Sequence, residues 1–323
     1  MELVSVNVLN TNEKNPLKRC LQHLKNQTYE NIFITVIDNG STDGSIEMLG
    51  REFPEIKIIE NGKNLGYCKS HNIGIENSKG EYVMPLNSDI FLMEEYIERA
   101  VAASKKFKDI GMVQGKLLQI ASWDSDIPSE KIIDSVGVQM FKARRNFERE
   151  QGVRDTGQLD KDEFVFGASG AAPLYKREML EDIKLGDEYF DNQFFIYRDE
   201  VDLSWRAQLM GWRCVYTPKA MAYHVRTYSP TKRKQVPRKF RQIQMRNRYW
   251  MILKNDTLTN YIRNIHHIFW FEIRQWCYAP FFEPHLLLGL FEAVRFFPDM
   301  LRKRRMIMKN KKVDDNYINN WFK

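Results

Sequence analysis

Short groups of oxygen-bearing side chains follow apolar segments of this chain. Asn87-Ser88-Asp89 comes directly after the apolar run 82–86. Oxygen ligands at the end of a strand suit Mg²⁺ or Mn²⁺, which need few protein ligands when a diphosphate supplies the others. The same triplet could instead form an Asx turn between a strand and a helix. Its position at a strand end favours the metal-site interpretation.

Three carboxylates, Asp199, Glu200 and Asp202, stand at the start of a predicted helix that ends near Met210. One of them could act as a general base. Acids in a first helical turn also cap free N–H groups and match the helix dipole, so a capping role is the alternative. His224 is a lone histidine, and nothing beside it in the sequence distinguishes a ligand from a packed side chain.

Two other regions have the composition of nucleotide-binding loops. Asp38 begins the turn 38–44, where its carboxylate could accept a hydrogen bond from a base N–H or a ribose hydroxyl; a plain helix-capping turn is the alternative. Segments 64–66 and 71–74 follow, and Gly66 would let the backbone approach a phosphate near a helix N-terminus. Taken alone, these two segments favour a simpler interpretation, a loop glycine and a helix-packing glycine.

The elements that must position these residues alternate along the first 120 residues. The pattern predicts strands at 3–9, 32–37, 56–59 and 82–86 and helices at 16–26, 45–53, 69–76 and 94–107. This order predicts an α/β fold with a mostly parallel sheet flanked by helices, which binds ligands at the carboxyl ends of its strands. Hairpins and loops at 120–165 could cover a site, the small-residue segment 167–172 could approach a ligand, and a short strand is expected at 214–216.

Composition narrows the class of protein. The 323 residues carry a net charge of +7, which favours anionic partners. The four cysteines are far apart, so a zinc ribbon or a dense disulfide framework is excluded. We expect no signal peptide and no membrane-spanning helix. No GxGxxG segment follows a strand, which argues against a dinucleotide oxidoreductase.

Taken together, five ordered segments resemble the family 2 glycosyltransferases with the GT-A fold, most closely their rhamnosyltransferase-like branch. The segments are VIDNGSTDGS (36–45), NLGYCKSHNIGIENSKGEYVMPLNSDI (64–90), GASGAAPLYKREML (167–180), FDNQFFIYRDEVDLSWRAQLMGWRCVY (190–216) and YHV (223–225). The resemblance covers about residues 1–228. It implies an enzyme that takes a sugar from a nucleotide-sugar donor with inversion at the anomeric carbon.

The resemblance also assigns roles to individual residues. Glu200 matches the catalytic base, and the reversed order of the acidic pair leaves open whether Asp199 shares that role. Asp89 matches the metal ligand of a DxD motif whose first position is here Asn87, and His224 matches a second ligand for Mg²⁺ or Mn²⁺. Donor-binding positions follow from the same segments: Asp38 for the pyrimidine base, with Asn64, Gly66, Asn72, Asn87 and Ser88.

The resemblance and a change in composition together divide the chain. We expect a catalytic domain at 1–228, with a nucleotide-binding part at about 1–120 and an acceptor-side part at about 121–228. A basic and aromatic region of three helices is expected at 229–323. Apolar segments with basic flanks are typical of helices that lie on an anionic membrane, although the same aromatics could pack on protein. We therefore expect a cytoplasmic protein, peripheral at the inner face of the cell membrane.

The donor and the acceptor are predicted only by chemical class. L-rhamnose from dTDP-rhamnose is the first candidate donor, with UDP-sugars as alternatives, and the acceptor would be a glycan or a lipid-linked glycan in surface-polysaccharide synthesis. The competing functions are a sugar-phosphate nucleotidyltransferase and a non-catalytic glycan- or lipid-binding protein. Nucleic acid is not expected as a partner, because no RRM, KH or helix-turn-helix pattern occurs. An oligomer is compatible with the sequence.

Overall fold

A computed structural model describes residues 1–225 and 236–323, so the predicted boundary near 228 lies outside the described residues. The strands are β1 (Val4–Asn10), β2 (Ile32–Asp38), β3 (Lys57–Glu60), β4 (Tyr82–Asn87), β5 (Ile90–Leu92), β6 (Ile110–Gln119), β7 (Ile133–Ser135), β8 (Val138–Met140), β9 (Asn146–Glu148), β10 (Glu163–Val165), β11 (Leu174–Lys176) and β12 (Arg213–His224). The helices are α1 (Lys14–Lys25), α2 (Ser45–Glu52), α3 (Gly66–Glu76), α4 (Tyr96–Ser104), α5 (Arg177–Asp182), α6 (Asp199–Leu209), α7 (Arg238–Asn255), α8 (Leu258–Arg263), α9 (Ile265–Phe282), α10 (Leu286–Arg295), α11 (Phe297–Asn310) and α12 (Asp315–Asn319), with a 3₁₀ turn at Asn192–Phe194.

One mixed sheet organises the described residues, in the order β10-β12-β6-β11-β4-β1-β2-β3. The half formed by β3, β2, β1 and β4 is wholly parallel, and β11 enters antiparallel beside β4. Alternate residues of β1 point to opposite faces, yet all of them except the half-buried Leu9 are buried, as in a sheet with both faces covered. The predicted α/β architecture and its mostly parallel sheet are confirmed.

Two strands of the second half differ from the prediction. Strand β6 has no counterpart among the predicted elements, because nine of its ten residues are buried and it lacks the alternation that marks a half-exposed strand. The short strand expected at 214–216 continues as β12 to His224. Its pairing with β6 passes through a register shift between Thr217 and Met221. The Thr217-Pro218 pair therefore bends a strand and does not end one.

The C-terminal region contains six helices in the described residues, so the expectation of three was wrong. Polar caps and a proline divide the apolar pattern into shorter helices. Thr257 accepts a hydrogen bond from the amide of Asn260 at 3.2 Å, and Asp314 caps α12 at 2.7 Å. Pro284 separates α9 from α10. No helix of the described residues is long and apolar enough to cross a membrane.

Candidate active site

A cleft of about 570 Å³ opens at the carboxyl edge of the parallel strands. Parallel pairing sets Asn10 of β1 beside Asp38 of β2, and Leu9 beside Asn87 of β4, so the three strands end together. The candidates that line this cleft are Asn64, Gly66, Asn87, Ser88, Asp89, Asp199, Glu200 and His224. Residues from four regions separated in sequence therefore meet in one cavity.

Asp89 and His224 form one end of the cleft. Strand β5 pairs with β12 so that His224 lies opposite Ile90, and the amide of Val225 donates to the Asp89 carbonyl at 3.1 Å. This pairing holds the Nε2 atom of His224 3.5 Å from Oδ2 of Asp89. On the other side of the ring, Nδ1 lies 2.7 Å from Oδ2 of Asp134. A carboxylate at Nδ1 orients an imidazole and leaves Nε2 for a cation.

The side chains at this end fit a divalent cation. Oδ1 of Asp89 is buried and has no hydrogen-bond partner among the described residues, which is costly for a carboxylate unless a ligand completes it. Burial disfavours the charged form of His224, but Asp89 and Asp134 outweigh it and raise the pKa of His224 to about 10. The two carboxylates thus favour positive charge at this position, and a metal ion at Nε2 would take the place of the proton there. Within residues 1–225 and 236–323, no three His, Cys, Asp or Glu side chains converge as a complete metal centre. The oxygens of a substrate diphosphate are suitable further ligands for such an ion.

The opposite end of the cleft carries the two acids that begin α6. Asp199 is buried and Glu200 half-buried, and both line the cavity. Burial and the nearby Asp202 raise the pKa of Asp199 to about 7. Burial, Asp199 and Glu148 raise the pKa of Glu200 well above its ordinary value. A carboxylate with a raised pKa is a stronger base, as proton abstraction from an alcohol requires.

The loop that leads into α6 has an unusual backbone. Phe195, Tyr197 and Arg198 have φ values of 65°, 69° and 63°, a region that residues other than glycine seldom occupy. Such conformations persist only where the surroundings hold them, and they concentrate at functional sites. Here the loop sets the direction from which Asp199 and Glu200 enter the cleft.

Helix α7 holds this loop from behind. The buried side-chain amide of Asn247 donates to the carbonyls of Phe194 at 3.0 Å, Ile196 at 2.9 Å and Tyr197 at 2.9 Å. The neighbouring Arg246 guanidinium donates to the Phe194 carbonyl at 3.2 Å and to the residue before it. The C-terminal region therefore fixes the segment that precedes the two acids.

A buried ion network adds a second connection. Lys254 of α7 lies 2.6 Å from Asp191 and 2.9 Å from Asp202, and Lys303 of α11 lies 2.6 Å from Asp191. Asp202 also accepts from Arg206 at 3.2 Å. Of the three acids that begin α6, Asp202 is thus a structural residue, and it does not line the cleft.

Residues 5–184, more than half of the chain, match the sequence profile of the family described as glycosyl transferase family 2. The chain belongs to glycosyl transferase family 2. It is 25% identical over 238 residues to N-acetylglucosaminyl-diphospho-decaprenol L-rhamnosyltransferase of Mycobacterium tuberculosis, covering 66% of this chain and 73% of that one. It is 36% identical over 121 residues to an uncharacterized glycosyltransferase of Haemophilus influenzae, covering 36% of this chain and 37% of that one.

Solved structures support the same fold. S. aureus TarS 1-349 in complex with UDP has a TM-score of 0.55 at 16% identity, covering 95% of this chain and 88% of that chain. The mannosyltransferase PcManGT of Pyrobaculum calidifontis, in complex with GDP-Man and Mn²⁺, has a TM-score of 0.54 at 13% identity, covering 99% and 87%. This family 2 glycosyltransferase therefore has the GT-A fold. The first curated relatives match over only about a third of their own length or less.

Two of the expected donor-binding residues lie outside the cleft of the glycosyltransferase. The Asp38 carboxylate is buried and accepts from the Asn10 side chain at 2.8 Å and from the amides of Gly40 at 3.0 Å and Ser41 at 2.8 Å. The Asn72 amide donates to the Phe190 carbonyl at 2.7 Å, and its oxygen accepts from the Phe190 amide at 2.9 Å. Asn72 thus links α3 to the acceptor side and has its hydrogen bonds already made.

Gly66 lines the cleft, but the group that approaches it closely is Phe195 and not the expected phosphate. Its φ is +79°, and a Cβ atom there would lie 2.5 Å from the Phe195 ring. The Phe195 carbonyl accepts from the amides of Tyr67 at 2.6 Å and Cys68 at 3.3 Å, which caps α3. Asn64 accepts from the Gly66 amide at 2.8 Å. The backbone that approaches Gly66 so closely is therefore the strained loop.

Four functional candidates were absent from the motifs. Glu13 lies in the cleft and accepts a hydrogen bond from the Ser88 hydroxyl; burial and Asp89 raise its pKa. The sequence could have identified Glu13 by its position just after β1, at the same edge of the sheet as the other motifs. Glu148 lines the cleft from the β8–β9 hairpin, in the region expected to cover a site. Asp134 and Asn247 had no local signal, because each acts on a residue far away in sequence.

Proposed function

We propose that this family 2 glycosyltransferase is an inverting, metal-dependent enzyme that moves L-rhamnose from dTDP-rhamnose to a glycan or lipid-linked acceptor. Such a reaction would serve cell-surface polysaccharide synthesis at the inner, cytoplasmic face of the membrane. The observation that carries the proposal is that Asp89, His224 and Glu200 line one cleft. The name of the M. tuberculosis relative supports the choice of sugar and of a lipid-linked acceptor.

Glu200 is the proposed base. Its carboxylate takes the proton from the acceptor hydroxyl as that oxygen forms a bond to the anomeric carbon. The bond from the anomeric carbon to the phosphate oxygen breaks in the same displacement, and the electron pair leaves with the nucleoside diphosphate. A single displacement inverts the anomeric centre and needs no covalent link to the protein. Asp199 lies next to Glu200 and keeps the pKa of that carboxyl raised, which supports a helping role for Asp199.

Asp89 and His224 are the proposed holders of the cation, and Asp134 orients the histidine. Mg²⁺ or Mn²⁺ bound there would neutralise the charge that develops on the leaving diphosphate. Asn64, Gly66, Asn87 and Ser88 supply amide, hydroxyl and backbone groups around the donor. Asp38 stays a proposal for base recognition through the turn that it organises, since its own carboxylate is engaged in that turn.

The base assignment is tested with Glu200→Gln, which keeps the shape of the side chain and removes its basicity. We expect transfer to fall by about 10²–10⁴-fold with donor affinity nearly unchanged. Asp199→Asn should reduce transfer less, and Glu55→Gln on the exposed surface is the matched control. Full transfer by Glu200→Gln would refute the assignment.

The donor and the cation are tested together by thermal shift. A ligand that binds only the folded state raises the apparent melting temperature. The panel contains dTDP-rhamnose, UDP-glucose, UDP-N-acetylglucosamine and GDP-mannose, each with and without Mn²⁺. We expect the largest shift with dTDP-rhamnose and Mn²⁺, and NMR of the product should show the opposite anomeric configuration from the donor. Pyrophosphate release from a nucleoside triphosphate and a sugar phosphate would instead indicate a nucleotidyltransferase.

A further inference from the structure

The outer face of α10 is apolar. Leu287, Leu288, Phe291 and Val294 lie on one side of the helix and are 41%, 60%, 69% and 65% exposed. A surface helix of a globular protein normally turns such a stripe inward. Here Gly289, on the inner side, prevents rotation, because a Cβ atom there would lie only 2.6 Å from the Gln242 carbonyl of α7. The orientation of α10 is therefore fixed with its apolar stripe facing outward.

The end of α9 enlarges this surface. Phe281 and Phe282 are 82% and 69% exposed, and Tyr278 is exposed one turn earlier. Ala279 of α9 and Leu286 of α10 belong to one small buried cluster, so the exposed residues on either side of them are neighbours. We call the exposed residues Tyr278, Phe281, Phe282, Leu287, Leu288, Phe291 and Val294 the apolar face. Its size exceeds the scattered apolar residues that an ordinary surface carries.

Among the described residues of α9, α10 and α11, the charged side chains that are not in ion pairs are basic. The acids of α9, the following turn, α10 and α11 are engaged in ion pairs: Glu272 with Arg248 at 2.8 Å, Glu283 with Arg241 at 3.1 Å, Glu292 with Arg246 at 2.7 Å and Asp299 with Arg302 at 2.7 Å. Arg274, Arg295 and Arg305 are exposed on the same helices. Within the described ranges, Arg274 and Arg295 form no ion pair with an acid.

We infer that the apolar face inserts into an anionic lipid leaflet, with these arginines at the phosphate level. Exposed aromatic and aliphatic side chains with a basic rim are what an interfacial helix presents to such a leaflet. A second copy of the chain would bring arginines against arginines, which disfavours a symmetric dimer through this face. The absence of any spanning helix in the described residues agrees with docking in the plane of the membrane.

Helix α7 contacts both the cleft and the helix that carries the apolar face. Phe240 of α7 lines the cleft and packs on Tyr197 with ring centroids 6.0 Å apart. Gln242, two residues further along α7, is the contact point of α10. Two residues of a helix advance about 3 Å along its axis and turn about 200° around it, so the two contacts lie on opposite sides of α7. An enzyme docked on a leaflet would meet a lipid-linked glycan there, and this assignment of the acceptor rests on the proposed transferase function.

The test measures flotation of the full chain with vesicles of phosphatidylcholine, with and without 30% phosphatidylglycerol, in the absence of substrates. Wild type should bind the anionic vesicles, and the triple variant Leu288→Ser, Phe291→Ser, Val294→Ser should bind at least about tenfold less. Phe33→Ser, a single apolar-to-polar change at an exposed position of β2, is the control and should bind as wild type. Arg274→Glu with Arg295→Glu should abolish the preference for anionic vesicles.

Equal vesicle binding by the wild type and the triple variant would overturn the inference, as would no binding by the wild type. A dimer that dissociates in the triple variant, without vesicle binding, would identify a second copy as the occupant and also overturn it. Transfer to a soluble acceptor glycan is measured separately. If the chain binds vesicles but consumes no donor, the proposed transferase function is wrong and the membrane-binding role of the apolar face is still supported.

Discussion

Asn247→Ala should uncouple catalysis from donor binding. The Asn247 amide contacts three carbonyls of the loop before α6, at 2.9–3.0 Å, and its two hydrogens can satisfy two of them fully. Two lost hydrogen bonds are worth about 1–3 kcal/mol, and carbonyls left unsatisfied in the interior increase the loss. We therefore expect the free energy of unfolding to fall by about 2–4 kcal/mol.

Phe195, Tyr197 and Arg198 of the same loop have positive φ angles, each costing about 1–3 kcal/mol. The loop should therefore relax when the hydrogen bonds from Asn247 are removed. A shift of about 1 Å in Glu200 could lower kcat by roughly 10²-fold. The KM for the donor should change little, since Asp89 is held by the β5–β12 pairing.

The assay is kcat and KM for transfer across pH, together with urea unfolding. Burial keeps the pKa of Glu200 raised, so greater exposure should lower it and move the acidic limb of the kcat profile to lower pH. Asn264→Ala is the control: this buried asparagine bonds to Asn260 and Asn319, far from the loop, and should lose stability with kcat unchanged. If Asn247→Ala loses stability but keeps both kcat and its pH profile, the hydrogen bonds of Asn247 do not position Glu200.

Three further outcomes follow from single contacts. Gly66→Ala should lose about 1–3 kcal/mol more stability than Gly62→Ala, because both have positive φ but only Gly66 abuts Phe195; equal losses in urea unfolding would contradict this. Asp134→Asn should weaken Mn²⁺ binding about 10–100-fold, because Asp134 orients His224. Mn²⁺ binding is measured by electron paramagnetic resonance with dTDP present, and an unchanged affinity would exclude that role of Asp134. Burial opposes ionisation of Asp191, but Lys254 and Lys303 outweigh burial and hold the pKa of Asp191 well below its ordinary value. The ionised Asp191 therefore stabilises the fold above about pH 4, and this stability is lost as the pH falls further. The urea midpoint of Asp191→Asn should therefore decline less than that of wild type below pH 4, and parallel declines would refute the assignment.

The strand-end motifs could be found in the sequence because parallel strands bring their carboxyl ends to one edge. Asn87 and Asp89 follow a strand, and once the sheet is parallel their meeting with the other strand ends needs no further information. The acidic helix start could be found from local pattern too, but that pattern left Asp199, Glu200 and Asp202 as alternatives, and only the family resemblance singled out Glu200. These residues depend on local pattern and on one rule of topology.

The remaining site residues depend on contacts between distant segments. Asp134 acts on His224, 90 positions away, and Asn247 acts on a loop about 50 positions earlier. Neither has neighbours in the sequence that distinguish it from an ordinary polar residue. Asp38 and Asn72 show the converse, because motifs that favour ligand binding place side chains whose hydrogen bonds are used within the fold.

Helix α7 links the two sides of the composition change near residue 228. Its Lys254 forms ion pairs with the buried Asp191 and Asp202, and its Asn247 holds the loop before Asp199 and Glu200. Removing the partner of a buried charge typically costs about 3–5 kcal/mol. A chain cut before α7 would leave Asp191 without either of its lysines, whereas Asp202 would keep Arg206 at 3.2 Å. The same helix carries the contact point of α10. One helix therefore contacts both α10, which carries the proposed membrane-binding face, and the segment that precedes Glu200, the proposed base.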